Sequence, residues 1–250
     1  MNQGSSPWEF RVRAWIAFVI YFFGFFIGYL IDRALGGTGT PSYLLIGRHW
    51  GDAGVRGAAA VAAALTFLGF LLRWWGSSYH RMGVVYSGSI ETATLTAAGP
   101  YRYMRNPLYL GNLLQAIGIS SIGPPAAMVT IFILLLAFVY RLIFLEEGYL
   151  RAAQGEAYAR YCAAVPRLIP RLRAAKLPAG TERPNTAFGL FTELGSLGFA
   201  LWIAYLPIAN PPAPNATFIA LFYGAIVLFI IGGILNRRMS RELETRKGTP

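Results

Sequence analysis

"NPLYLGNLLQAIGISSIGPPAAMVTIFILLLAFVYRLIFLEEGYL", residues 106–150, holds two apolar runs separated only by Gly123, Pro124 and Pro125. The first covers about 108–122 and the second about 126–145. So short a connection forces neighbouring helices to run antiparallel, and the stretch predicts a tight helical hairpin. Crossing ~30 Å of hydrocarbon takes about 20 residues. The first run is short by that measure, which makes it a helix that is tilted, incompletely spanning or packed inside a bundle.

Working outward, the same apolar character recurs at about 14–31, 57–75, 187–206 and 216–235, giving about six candidate spans. The chain is 55% hydrophobic and 13% charged, with mean hydropathy +0.46. A soluble domain carries about 25% charged residues. The fold expected is therefore all-α, a polytopic transmembrane helical bundle. Arg11 and Arg13 precede an apolar run longer than a signal-peptide core, and no small-x-small cleavage pattern follows it, so the first run reads as a retained membrane helix. Gly24 and Gly28 form a GxxxG pair within it, a signature of close helix packing within or between chains.

The net charge of +11 would suggest nucleic acid in a soluble protein. Here the arginines lie between apolar runs, and no basic stretch is interleaved with aromatics, so the class expected is membrane and not nucleic-acid binding. Basic residues concentrate in 73–105, in 141–183 and in the C-terminal tail, against only Arg33, Arg48 and Arg56 on the other side. The positive-inside rule then puts both termini, and the segments 76–107 and 146–186, in the cytoplasm. Arginine exceeds lysine 20 to 2, which hints at a GC-rich bacterial source and an inner-membrane location. Cys162, His49 and His80 are too few and scattered for a zinc site, and no metal is expected.

Those two cytoplasmic segments carry the chemistry. In "GPYRYMRNPLYLG", 99–111, Pro107 suits the first turn of a helix and pushes Asn106 into a geometry from which it caps. The free N–H groups of such an end attract an anion. Arginines and tyrosines at this level also serve as interfacial anchors, and spacing alone leaves both readings open. Gly111 lets another backbone or a ligand approach. Further on, Glu146 and Glu147 end an apolar run where the helix dipole disfavours negative charge. Either they pair, as Glu147 with Arg151 at i,i+4, or they receive hydroxyls or an ammonium from a ligand. Glu193, inside the fifth run but close to a helix start, reads as structural. Cys162 reads as a small packing residue.

Taken together, "GPYRYMRNPLYLG" at 99–111, "EEGYL" at 146–150, "GEAYARY" at 155–161 and "VPRLIP" at 165–170 resemble the membrane-embedded isoprenylcysteine carboxyl methyltransferase family and the related phospholipid N-methyltransferases. "LRWWGSSY" at 72–79 and "TATLTAAG" at 92–99 fit the approach to the motif, so the resemblance spans 72–172. It divides the chain into a methyltransferase core, 1–183, and a C-terminal two-helix extension with a basic tail, 184–250. It implies methyl transfer from S-adenosylmethionine, bound at the cytoplasmic face, to a lipidic acceptor among the membrane lipids. The acceptor implied is the carboxylate of a prenylcysteine-like or isoprenoid molecule. The cofactor would touch Ala93, Thr94, Leu95 and Thr96, Tyr101, the turn Asn106, Pro107, Leu108 and Tyr109, and Gly111, with Glu146 facing them. The candidates for catalysis are Arg141, Glu147 and Arg167, the two arginines as candidates for an anionic acceptor head.

Two departures bear on the acceptor. The family's Arg-His-Pro is Arg105-Asn106-Pro107 here, and asparagine can donate a hydrogen bond but neither carries charge nor acts as a base. Where the family places an arginine four residues before the first glutamate stands Leu142, with Arg141 rotated by ~100° on the helix. Alternative expectations are a phospholipid amine N-methyltransferase, an NADPH-dependent membrane sterol or isoprenoid reductase with a similar motif, and a non-enzymatic membrane protein.

Overall fold

Small residues set the architecture. Ala62, Gly69 and Gly76, seven residues apart on one helix, face Gly118, Gly111 and Leu108 on its antiparallel neighbour. A β-carbon added at Gly69 would lie 2.6 Å from the Gly111 carbonyl oxygen, and one at Gly111 would lie 2.7 Å from the Gly69 oxygen. In lipid, where burial from water does not drive helices together, such close backbone approach supplies the packing.

The computed structural model describes residues 8–79, 95–177, 183–209 and 215–247. The described residues form helices and turns without strands, in the order α1 (Trp8–Arg11), α2 (Arg13–Ala34), α3 (Ser42–Gly47), α4 (Gly51–Ser77), α5 (Pro107–Ser120), α6 (Pro125–Ala164), α7 (Thr186–Thr192), α8 (Leu194–Ala204) and α9 (Ala216–Lys247). Short 3-10 turns occur at Arg48–Trp50 and Gly99–Arg102. The helical hairpin expected from Gly123-Pro124-Pro125 is α5–α6. The GxxxG pair of α2 packs within the chain: Gly24 lies against Ile131 and Gly28 against the backbone of Ala127, both on α6.

The expected count of about six spans is corrected. Four stretches are long and apolar enough to cross a membrane: Arg13–Ala34, Ser42–Ser77, Pro125–Ala164 and Ala216–Asn236. The pair α7–α8, bent by 69° at Glu193, makes a fifth if counted as one broken span. The segment taken as the third span is α5, whose 14 residues reach only about 21 Å at 1.5 Å per residue. It still joins the two ends of the bundle. Its start sits beside Gly76 at the end of α4. Its far end receives the hairpin at the start of α3, where Ser42 N–H donates to the Gly123 carbonyl at 2.8 Å.

Two apolar clusters fill the bundle. Leu113 and Ala116 of α5 pack with Ile131, Leu135, Val139 and Ile143 of α6. Tyr43, Val55, Ala59 and Ala62 pack with Trp202, Ile203 and Phe218 of the C-terminal helices. A third cluster, Tyr158, Tyr161, Val165 and Ala175, gathers at the end where α5 begins. It exists because α6 breaks at Gly155, whose φ of 50° is a left-handed conformation that glycine adopts without strain. Beyond the break the helix turns its tyrosines back toward the bundle, and Tyr161 donates to the carbonyl of Tyr101 at 2.8 Å.

Two glycine substitutions separate packing from propensity. Gly28→Ala drives a methyl group into the α6 backbone and should destabilise the protein by about 1–3 kcal/mol. Gly57→Ala, where an added methyl meets nothing, should be neutral or stabilising by up to about 1 kcal/mol. Thermal unfolding in detergent measures both.

Candidate functional site

At the mouth of α5 the chain passes three times over one spot. Residues 99–106 lead into the helix, α6 runs beside it, and residues 165–177 return across both. Backbone hydrogen bonds stitch the return: Arg105 N–H to Pro166 O at 2.9 Å, Arg171 N–H to Tyr103 O at 3.0 Å, and Ala175 N–H to Arg102 O at 2.8 Å. The Arg102 guanidinium adds two bonds to the Ala175 carbonyl, at 2.8 and 3.1 Å. "GPYRYMRNP" and "VPRLIPRL", more than fifty residues apart, thus form one surface.

The two adjacent glutamates of α6 go to different places, because neighbours on a helix point ~100° apart. Glu147 turns inward, its side chain only 4% exposed, and collects three guanidinium groups. Arg167 binds it in a fork, Nε to Oε1 at 2.9 Å and Nη2 to Oε2 at 3.0 Å. Arg105 Nη1 stands 3.1 Å from Oε1 and Arg151 Nη2 3.4 Å from Oε2. The i,i+4 pairing expected with Arg151 is present but is the longest of the three. The fork to Glu147 keeps Arg167 protonated, holding its guanidinium above its ordinary range. Arg167 also lies over the Phe144 ring, 4.9 Å from its centroid.

Glu146 turns toward α5, where the Tyr109 hydroxyl donates to Oε1 at 2.8 Å. The charge of Arg13, at the start of α2, also acts on Glu146. So Asn106, Tyr109 and Glu146, read separately from two segments, share one mouth. Asn106 holds the N-cap position as expected, but its side chain does not cap. Its amide donates instead to the Arg167 carbonyl at 2.9 Å, because the returning segment puts that acceptor beside it. The first turn of α5 therefore has no side-chain acceptor over its N–H groups.

Tyr101 is 5% exposed, and a β-carbon at Gly76 would lie 3.5 Å from its hydroxyl. Burial first, and then the neighbouring Tyr161 phenol and the Glu146 and Glu193 carboxylates, hold the phenol well above its ordinary pKa, so it stays neutral. Leu95 packs on the Tyr158–Tyr161 cluster, Thr96 is half-buried beside it in sequence, Leu108 touches the Gly76 face, and Pro107 is buried. Ala93 and Thr94 lie outside the described residues. Gly111 does permit a close approach, and what approaches is α4: the Gly69 carbonyl and the stem of Arg73 occupy its open face.

Arg141 stands apart from this cluster. Its side chain is 64% exposed and pairs with Glu9 at 2.5 Å, while Leu142 beside it is buried. Together with Ala137, Tyr140, Phe144 and Leu145 it lines a shallow depression on the outer face of α6, bordered by Arg167 where that residue covers Phe144. Cys162 packs as expected and in addition accepts from Arg105 Nη1 at 2.6 Å. Missed by the sequence reading were Arg105 as a partner of Glu147, Arg13 as a charge facing Glu146, and Arg73. Among the described residues no three His, Cys, Asp or Glu side chains gather into a group able to hold a metal ion.

Comparison with known proteins agrees with the motifs. Residues 58–157 match the phospholipid methyltransferase family, which bears out the family resemblance over that stretch. The chain is also 30% identical, over 88 residues, to the cobalt-zinc-cadmium resistance protein CzcN of Cupriavidus metallidurans. That match covers 35% of this chain and 41% of the relative, so the chain spans less than half the length of the curated relative it matches. No solved structure matches.

The cluster at Glu147 allows a direct test. Glu147→Ala leaves buried Arg105 without its counter-charge and should cost about 3–5 kcal/mol. Arg151→Ala, at a side chain 61% exposed, should cost under about 1 kcal/mol. Denaturation of the two variants in the same detergent compares them.

Proposed function

We propose that this chain, whose residues 58–157 carry the phospholipid methyltransferase match, is a membrane methyltransferase that takes its methyl group from S-adenosylmethionine and gives it to a lipidic acceptor. The observation that carries the reading is the shared mouth. An α-helix start with no side-chain cap faces, through Tyr109, a glutamate on the neighbouring helix 2.8 Å from that tyrosine's hydroxyl.

The residues present fit that donor. Uncapped N–H groups at the start of α5 accept a carboxylate. Glu146 accepts from an ammonium or from ribose hydroxyls, and the faces of Tyr101 and Tyr109 suit a cation. S-adenosylmethionine supplies an electrophilic methyl group on its sulfonium. What the chain contributes is alignment, because displacement at a methyl carbon is sensitive to distance and angle. Tyr109 fixes the Glu146 carboxylate, and Pro107 and Asn106 fix the helix start. The returning segment 165–177 covers the mouth and limits water. Glu147 and Arg167 we place as positioning residues, since each is committed to the other, with the Arg167 guanidinium edge over Phe144 left to meet an acceptor.

For the acceptor, the depression beside Arg141 and Arg167 supports a molecule with an apolar body and an anionic head, of which a prenylcysteine-like or isoprenoid carboxylate is the class proposed. Favouring a phospholipid amine, the second reading, is the family's own description. Both place the site at the inner leaflet of a bacterial inner membrane.

Glu146→Ala should abolish S-adenosylmethionine binding, read by calorimetry, with helicity and unfolding midpoint retained; near-normal affinity would remove Glu146 from the site. Asn106→His should be tolerated, since the imidazole can still donate to the Arg167 carbonyl. The reaction itself is tested by transfer of a tritiated methyl group into a total lipid extract. A labelled product resistant to base would point to an amine acceptor, and a base-labile one to a carboxylate. No label in any lipid fraction would overturn the reading.

A further inference from the structure

The match to the methyltransferase family ends at residue 157, yet the most deeply buried acid among the described residues lies beyond it. Glu193 is 0% exposed, at the break between α7 and α8. Its carboxylate meets Arg73 of α4 in a fork, Oε2 to Nε at 2.6 Å and Oε1 to Nη2 at 3.0 Å, and Ser77 Oγ donates to Oε1 at 2.6 Å. Arg73 Nη1 donates to Asn112 Oδ1 on α5 at 2.5 Å, and its stem lies against Gly111. One guanidinium thus ties the C-terminal helices to the second turn of α5, three residues beyond Tyr109.

We infer that Glu193 is a positioning residue for the donor site: by holding Arg73 across Gly111 and onto Asn112, it sets the start of α5 and so the placement of Tyr109 opposite Glu146. The inference rests on the donor site proposed above and extends it into the C-terminal helices. Three observations point to positioning and not to cohesion alone. An ion pair taken out of water is a poor source of stability, and a well-packed apolar pair commonly does as well or better. Cohesion between α4 and α7 is already supplied elsewhere, by Trp74 Nε1 to the Thr186 carbonyl at 2.9 Å and by Asn185 N–H to the Ser78 carbonyl at 2.8 Å. And the fork ends on α5 itself, through Asn112, a bond that an apolar substitute could not make. The 69° bend delivers the carboxylate there: α7 lies along the end of α4, with Gly189 against Ser78, while α8 turns to pack Gly195 and Gly198 on α9.

The test uses the full-length chain in detergent and titrates S-adenosylhomocysteine, the thioether left after transfer, by calorimetry. Glu193→Gln should weaken binding at least roughly tenfold, since small displacements of a positioned group cost this much or more. Because that variant removes the carboxylate charge from the fork with Arg73, the paired variant Arg73→Met with Glu193→Leu accompanies it. The pair should unfold no earlier than the native chain and still bind at least roughly tenfold more weakly, with the KM for the donor raised and that for the acceptor unchanged. Trp74→Phe, which removes a bond between the same helices, should leave affinity as it is. Native affinity in the paired variant would show that the fork serves cohesion only and would overturn the inference while leaving the donor site standing. Failure of the native chain to bind the thioether would overturn both.

Discussion

Everything at the mouth of α5 depends on one buried carboxylate. Glu147 is buried and is stabilised by Arg105, Arg151 and Arg167. Charge in a low-dielectric interior must be paired, and the pairing here joins three segments: the lead into α5, α6 itself, and the return after it. Once Arg167 is held, its carbonyl is placed for Asn106, and the uncapped helix start follows.

Much of this was legible beforehand because it is local. The hairpin at Gly123-Pro124-Pro125, the helix start at Pro107 and the close packing of Gly24 and Gly28 all follow from residue types at fixed short spacing. The union of two distant cytoplasmic segments was legible only through the family's ordered motifs, since nothing in "VPRLIP" says which part of the chain it will cross. Side-chain direction was not legible. Asn106 at an N-cap position ordinarily caps, and only the carbonyl brought by a segment sixty residues away diverts it. Nor does hydropathy distinguish Glu146 from Glu147, whose roles differ by a rotation about the helix axis.

The least legible feature was the tie between Arg73 and Glu193. Each sits in an apolar run, and each alone reads as a charge near a membrane boundary. Their meeting depends on a break in the fifth apolar run, which composition does not mark: Thr192 and Glu193 interrupt the run without a proline. Seen in the bundle, the break gives the extension two faces, one for α4 and one for α9. The same logic of small residues governs both halves. Gly69 and Gly111 let α4 and α5 touch, and Gly195 and Gly198 do so for α8 and α9.

The brevity of α5 has a consequence for how its two ends are held. Its 14 residues fall about 9 Å short of the usual hydrocarbon thickness, and at the far end α3 folds in to make up part of the difference. At the near end Leu108 and Pro107 lie against Gly76, at the end of α4. Too short to be fixed by a bilayer at both ends, the helix is fixed by its own chain instead.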